Sequence, residues 1–212
     1  MKIVCISDTH LERPELPEGD LLVHTGDLTY RGEPDELRSV NRWFMSVEKQ
    51  FKHGILFIAG NHDFMFEQDP GAARNYLSAG TYLKDSGIEI EGIKFWGTPW
   101  VNQFGDWAFM TDEKGLAKHY AKVPDNTNVL LCHGPAYRIL DSIRDEHVGS
   151  TALMDTLIRV QPELFVFGHI HEQHGEVLVY TDEEKSTLFV NAAICDDEYN
   201  PVYEPFVIDL SD

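Results

Sequence analysis

The chain has 212 residues, 42% of them hydrophobic and 11% aromatic, which is enough for a full core and too apolar for disorder. Its 36 Asp and Glu outnumber 17 Lys and Arg, a formal charge of −19. Such a surface repels polyanions, because nucleic-acid binding gains affinity from cationic side chains that release counterions, so no long nucleic-acid partner is expected.

In chain order, the first strand is predicted from Ile3 (IVCIS) and stops at Asp8, too short for a signal-peptide core. No apolar run approaches the ~20 residues that cross a bilayer, so no membrane partner is expected. A second strand starts at Leu21 (LLVHTGD) and a third at Ile55 (ILFIAGN). Between them Leu37, Val40, Phe44, Val47 and Phe51 recur at three- and four-residue spacing, which predicts a helix with one buried face. Pro34, Asp35 and Glu36 suit its first turn and Gly54 its end. A second helix is predicted from Ala72 to Ala79, a hairpin from Ile88 to Trp96 around Glu91-Gly92, and a weaker helix from Glu113 to Lys122. Then come a strand at Val129 (VLLCHG), a helix from Ser150 to Val160 and a strand at Leu164 (LFVFGH). A hairpin from Val177 to Asn191, turning around Asp182 to Ser186, and a last strand at Phe206 to Ile208 complete the chain.

The five apolar runs lack the alternation of a half-exposed strand and read as strands buried on both faces. Alternating with helices early and followed by hairpins, they predict a single layered α/β or α+β domain over residues 1–212 rather than separate modules. Cys5, Cys132 and Cys195 are odd in number and widely spaced, which fits a reducing, cytoplasmic setting better than a disulfide framework.

Each buried run ends in chemistry: Asp8-Thr9-His10, Gly26-Asp27, Gly60-Asn61-His62-Asp63, His133-Gly134 and Gly168-His169-Ile170-His171. Asp, Asn and His ligate borderline divalent metals, and in open α/β sheets the loops after the strands share one crevice. In Asp8-x-His10 and His169-x-His171, residues two apart in an extended segment would point the same way. Seven ligands are too many for one tetrahedral ion and suit two ions bridged by one carboxylate. Any one cluster alone reads more readily as turn, capping or surface chemistry than as a metal site. Five in order, each after an apolar run, do not.

This pattern, D-x-H, G-D, G-N-H-D, H and G-H-x-H, resembles the calcineurin-like metallophosphoesterase superfamily from about Ile3 to Ala193. The segments His24 to Thr29, Trp96 to Trp100, Cys132 to Pro135, Phe167 to Glu172 and Asn191 to Ala193 are similar to its branch of brain metallophosphoesterase-domain proteins and class III cyclic nucleotide phosphodiesterases. The resemblance implies a four-layer α/β/β/α sandwich. Asp8, His10 and His171 would hold one metal, Asn61, His133 and His169 the other, and Asp27 would bridge. His62 would be the catalytic histidine, oriented or charged by Asp63. The implied reaction is in-line attack of a metal-bridging hydroxide on a small phosphodiester such as a cyclic nucleotide. The alternatives are a phosphomonoesterase or nucleotidase and, outside catalysis, a metal-bound interaction module. Manganese is the expected metal, with Fe, Zn, Co or Ni permitted by the N/O donor set.

Outside the pattern, His24 reads as a core residue, His53 and His119 as surface positions on helix-like segments, and His147 and His174 as within reach of the crevice. Trp96, Trp100, Phe104 and Trp107 read as core packing rather than a base-stacking platform, and Asp196-Asp197-Glu198 as a solvated turn.

Overall fold

The computed structural model describes residues 1–180 and 185–210. The first half contains β1 (Lys2–Ile6), β2 (Leu21–His24), α1 (Pro34–Val47), β3 (Ile55–Phe57), α2 (Phe64–Gln68), α3 (Pro70–Tyr76), β4 (Thr81–Tyr82), β5 (Ser86–Ile90) and β6 (Ile93–Thr98). The second contains β7 (Val101–Asn102), β8 (Met110–Thr111), α4 (Glu113–Tyr120), β9 (Val129–Cys132), β10 (Ser142–Ile143), β11 (Glu146–His147), α5 (Thr151–Val160), β12 (Leu164–Phe167), β13 (Gly175–Tyr180), β14 (Ser186–Asn191) and β15 (Phe206–Asp209).

One sheet has the order β15-β1-β2-β3-β4 and the other β13-β14-β12-β9-β6-β5. Their central strands run parallel, and β15, β13 and β5 lie antiparallel at the edges. Alternate residues of each strand serve different cores, which is why the runs are apolar throughout. Ile3, Cys5, Leu21 and Val23 pack against Val129, Leu131, Leu164 and Val166 between the sheets. On the outer face of the first sheet, Val4, Ile6, Leu22 and Phe57 meet Leu37, Val40 and Phe44 of α1. On the outer face of the second, Leu130, Phe165 and Phe167 meet Leu116 and Tyr120 of α4 and Leu153 and Leu157 of α5. The result is helix, sheet, sheet, helix, the expected sandwich.

Helix ends differ from expectation where caps override apolar spacing. α1 stops at Val47, a 3-10 turn follows at Glu48–Gln50, and Phe51 is buried beyond the helix. The helix expected at 72–79 starts earlier, because Pro70 opens α3 and the Asp69 carboxylate accepts from Ala72 N at 2.9 Å. α5 matches its expected span, with the Ser150 hydroxyl accepting from Leu153 N and Gln161 left-handed at its end. In the β5–β6 hairpin Glu91 and Gly92 both have positive φ, the twist a two-residue turn requires. β13 and β14 pair up to Tyr180 and Ser186; the rest of their predicted turn lies outside the described residues. The short ribbons β7–β8 and β10–β11 carry no periodicity a sequence could show.

Candidate metal centre

The loops that carry the seven expected ligands follow the C-terminal ends of β1, β2, β3, β9 and β12, so all converge along one edge of the sandwich. Asp8, His10, Asp27 and His169 have φ of 50°, 43°, 54° and 71°, the left-handed region that non-glycine residues enter at a cost of roughly 1 kcal/mol or more. This corrects the expectation that Asp8-x-His10 and His169-x-His171 converge by strand alternation. Left-handed turns re-aim them, and His171 lies in a 3-10 turn, His171–Gln173. Two glycines permit the approach: a Cβ on Gly60 would collide with Asp27, and one on Gly168 with Asp8 and Ser7.

Ligand-type atoms of Asp8, His10 and His171 lie within 4.8 Å of one another, as do those of Asp27, His133 and His169, and those of His10, Asp27 and His62. Asn61 Oδ1 stands 2.9 Å from His133 Nε2. Thus all seven expected ligands, with His62, are brought together. Asp8 and His171 approach at 3.3 Å, Asp27 and His133 also at 3.3 Å.

Tautomers decide what this cluster can bind. The Nδ1 atoms of His10, His171 and His133 face the carbonyl oxygens of Thr29 (3.2 Å), Asp196 (2.8 Å) and Thr25 (2.9 Å). A carbonyl only accepts, so each Nδ1 donates and each neutral ring turns a lone pair inward at Nε2. His10 Nε2 and His171 Nε2 then face each other at 3.4 Å, lone pair to lone pair, and His133 Nε2 faces the Asn61 and Asp27 oxygens. Acceptors aimed at acceptors in a buried site need a cation between them, either a proton or a metal. The donor set fits divalent metals.

The electrostatics agree. Burial opposes ionisation of Asp8, but its hydrogen bond with His171 and the nearby imidazoles hold its carboxyl well below the usual carboxylate range. Asp27 is lowered in the same way, burial being outweighed by His133. In return, Asp27 lifts His133 and Asp8 lifts His171 to about 9 against the pull of burial. His169 is pushed down to about 3 by burial and by the neighbouring His133. Burial also lowers His10.

His62 Nδ1 donates to Tyr30 O at 2.9 Å, its Nε2 lies 3.9 Å from Asp27 Oδ2, and its ring packs on Trp107 at 4.4 Å. Asp63, expected to orient or charge this ring, does neither. Its oxygens accept from Thr29 N and Oγ1, Gly60 N and Leu28 N, clamping the Asp27 loop to the Asn61 loop. The Tyr30 carbonyl holds the ring instead.

Two tyrosines escaped the sequence. Tyr199, left-handed at φ 63°, packs edge-on to His10 at 4.5 Å, and Tyr30 stacks on His10 at 5.7 Å. The run 196–198 is more than a solvated turn, since Asp196 O orients His171 and Asp197 lines the cavity over the ligands. The aromatic stretch splits: Trp96 and Trp100 are half-buried against the core, whereas Phe104 and Trp107 flank the ligands. His24 is buried and satisfied, as expected, by Thr9 Oγ1 and Gly26 N. His53 lies in a turn 3.4 Å from Glu91, and His119 stacks on Trp100, so neither is a free surface residue. His174 is held away from the ligands between Tyr203, Phe206 and the Ala193 carbonyl.

Two parallel-centred sheets between helices, with Asp, Asn and His gathered after their strands, define a class: four-layer α/β/β/α proteins with a candidate metal-binding edge. The calcineurin-like phosphoesterase family model matches residues 1–173, and the chain belongs to that family, which supports a metal-dependent hydrolase. Human metallophosphoesterase domain-containing protein 1 is 34% identical over 238 aligned residues, covering 99% of this chain and 71% of its own. A Caenorhabditis elegans UPF0046 protein is 36% identical, covering 92% and 70%. Phosphopantetheinyl hydrolase from Mycobacterium tuberculosis shares the fold at a TM-score of 0.60 and 16% identity, over 100% of this chain and 96% of that one. So does Haemophilus influenzae NAD nucleotidase, at 0.51 and 14%, over 90% and 44%. No helix among the described residues is long and apolar enough to cross a membrane.

Proposed function

We propose that the chain is a dinuclear phosphoesterase that hydrolyses phosphodiester bonds of small nucleotides, with manganese as its metal and a reducing, cytoplasmic setting in which its three thiols stay free. One observation supports the reading above the others: Asp27 shares one ligand cluster with His10 and His62 and another with His133 and His169, so a single carboxylate lies between donors of the two halves. Asp8, His10 and His171 would hold one ion, and Asn61, His133 and His169 the other. Divalent ions in such a site polarise phosphoryl oxygens and make water a nucleophile near neutral pH. The chain does the rest. His62, fixed by the Nδ1 hydrogen bond to Tyr30 O, would as imidazolium give its Nε2 proton to the departing ester oxygen and be left neutral. Trp107 covers one face of that ring, and Tyr30 and Tyr199 wall off His10 from solvent.

The test is turnover of bis-p-nitrophenyl phosphate and p-nitrophenyl phosphate by manganese-loaded protein. The diester is expected to be the better substrate. Preference for the monoester would make the protein a phosphomonoesterase, and turnover of neither would leave a metal-bound interaction module.

A further inference from the structure

Beside the ligands lies a second cavity, of about 550 Å³, within the size range of small-molecule sites. It shares Phe104 and His169 with the cavity over Asp27, Asn61 and His62, so the two lie side by side with these rings between them. The two differ in charge. In a chain of which 25% is charged, no Lys, Arg, Asp or Glu lines the second cavity among the described residues. Its walls include Val101, Ile143, Ile170 and the ring of Phe104, which is 58% exposed and tilted against His169 at 5.2 Å. An exposed aromatic ring on the lip between two cavities is a stacking surface.

Two polar groups interrupt these walls. Asn102 donates from Nδ2 to Val148 O at 3.0 Å, and its Oδ1 is buried without a partner. A buried acceptor left unpaired is costly unless a ligand N–H completes it. His147 is held by Asp141, whose buried carboxylate meets Nδ1 at 2.6 Å and also accepts from Arg138 N and Gly149 N. The ring is thereby fixed with Nε2 as its other hydrogen-bonding atom.

We infer that this neutral chamber receives the organic half of the substrate, an uncharged heteroaromatic group of nucleoside size carrying an N–H donor, while the phosphoryl group lies over the metal ligands. The inference rests on the phosphoesterase reading for its second half. An ester whose organic half carries further phosphates or carboxylates finds no countercharge in the chamber, so the chain selects a ligand charged at one end and neutral at the other.

Affinity for adenosine 5′-monophosphate and for ribose 5-phosphate, measured by calorimetry on the manganese-loaded full chain, tests this, since the two differ only in the base. The base is expected to tighten binding roughly tenfold. Ile143→Asp, at a position 37% exposed on the β10–β11 ribbon, is expected to abolish that advantage while leaving the ribose 5-phosphate affinity and the metal content unchanged. His147→Ala, as a second variant, is expected to reduce it. Equal affinity for the two compounds in the unmodified protein, binding of neither, or a preference that survives both substitutions overturns the inference. Diester hydrolysis without base preference would leave the enzyme reading intact, and base preference without hydrolysis would leave the chamber intact, so the two fail separately.

Discussion

The two halves of the candidate centre use the same side chains and are supported differently. His133 leaves directly from β9, and its Nδ1 is tied to Thr25 O, at the end of β2; Asn61 follows β3 and His169 follows β12. That half is anchored to strand ends through His133. His10 and His171 each lie four residues past their strands, as Asn61 does, but are oriented by loop carbonyls, Thr29 O and Asp196 O, the latter in the segment after β14. That half rests on turns. Strand ends are fixed by sheet and core, whereas turns are fixed by their own few hydrogen bonds, so equal ligand chemistry need not give equal grip.

The largest effect should come from removing what the halves share. Asp27→Ala is expected to lose both ions and to lower turnover by ~10³-fold or more. Elemental analysis showing two ions retained would exclude a shared carboxylate. His62→Ala should leave the ions in place and lower turnover about 10²- to 10⁴-fold, chiefly for esters with poor leaving groups. Its neighbour should behave in the opposite way. Asp63→Asn would turn an amide toward N–H groups that now donate to a carboxylate, with an expected loss of about 3 kcal/mol in unfolding free energy. If Asp63→Asn instead lowered turnover at unchanged stability, Asp63 would be part of the proton relay after all.

Each half also contains one histidine whose proton affinity is raised, His171 on the turn side and His133 on the strand side, both to about 9. In the metal-free chain their charge pairing stabilises the fold fully below the ordinary value of 6.5 and is lost as pH rises through about 9. His10, His24 and His169 are lowered, so above 6.5 they are neutral folded and unfolded and contribute no slope in that window. A cation occupies the nitrogens those protons leave, so metal affinity runs the other way. The gap in melting temperature between metal-loaded and metal-free protein is therefore expected to widen between about pH 6 and pH 9. A constant gap would mean that the protons do not sit on those nitrogens.

The ligands of both halves were legible. Runs buried on both faces, followed by Asp, Asn or His, are visible in sequence because burial demands apolar side chains and metal binding demands those donors. Legibility failed where position comes from backbone or from loops. No pattern announces the left-handed turns at Asp8 and Asp27. Asp63 belongs to a motif whose members all look functional, and only geometry separates the ring at His62 from the clamp beside it. Tyr199 follows an acidic run that reads as solvent-facing, and it reaches the centre because Asp196 folds the turn back, accepting from Glu198 N and Asn200 N at 2.9 Å each. Phe104 and Trp107 share an aromatic stretch with two tryptophans half-buried against the core, and composition cannot divide it.

The smallest effect tests the comparison most directly. The Asp196 side chain touches no ligand; it closes the turn whose backbone carbonyl holds His171 Nδ1. Asp196→Ala removes those contacts and keeps the carbonyl, so His171 should lose orientation without losing its partner. Outer contacts of this kind change metal affinity by about 10- to 100-fold, and a backbone partner that survives puts the expectation at the lower end, about tenfold. The loss should fall on one ion alone. In a stepwise metal titration the tighter step, assigned to His133, His169 and Asn61, should stay where it is while the weaker step shifts. Movement of both steps together would mean that the shared carboxylate couples the halves too strongly for strand and turn support to be told apart, and the asymmetry would then lie in the ligands themselves.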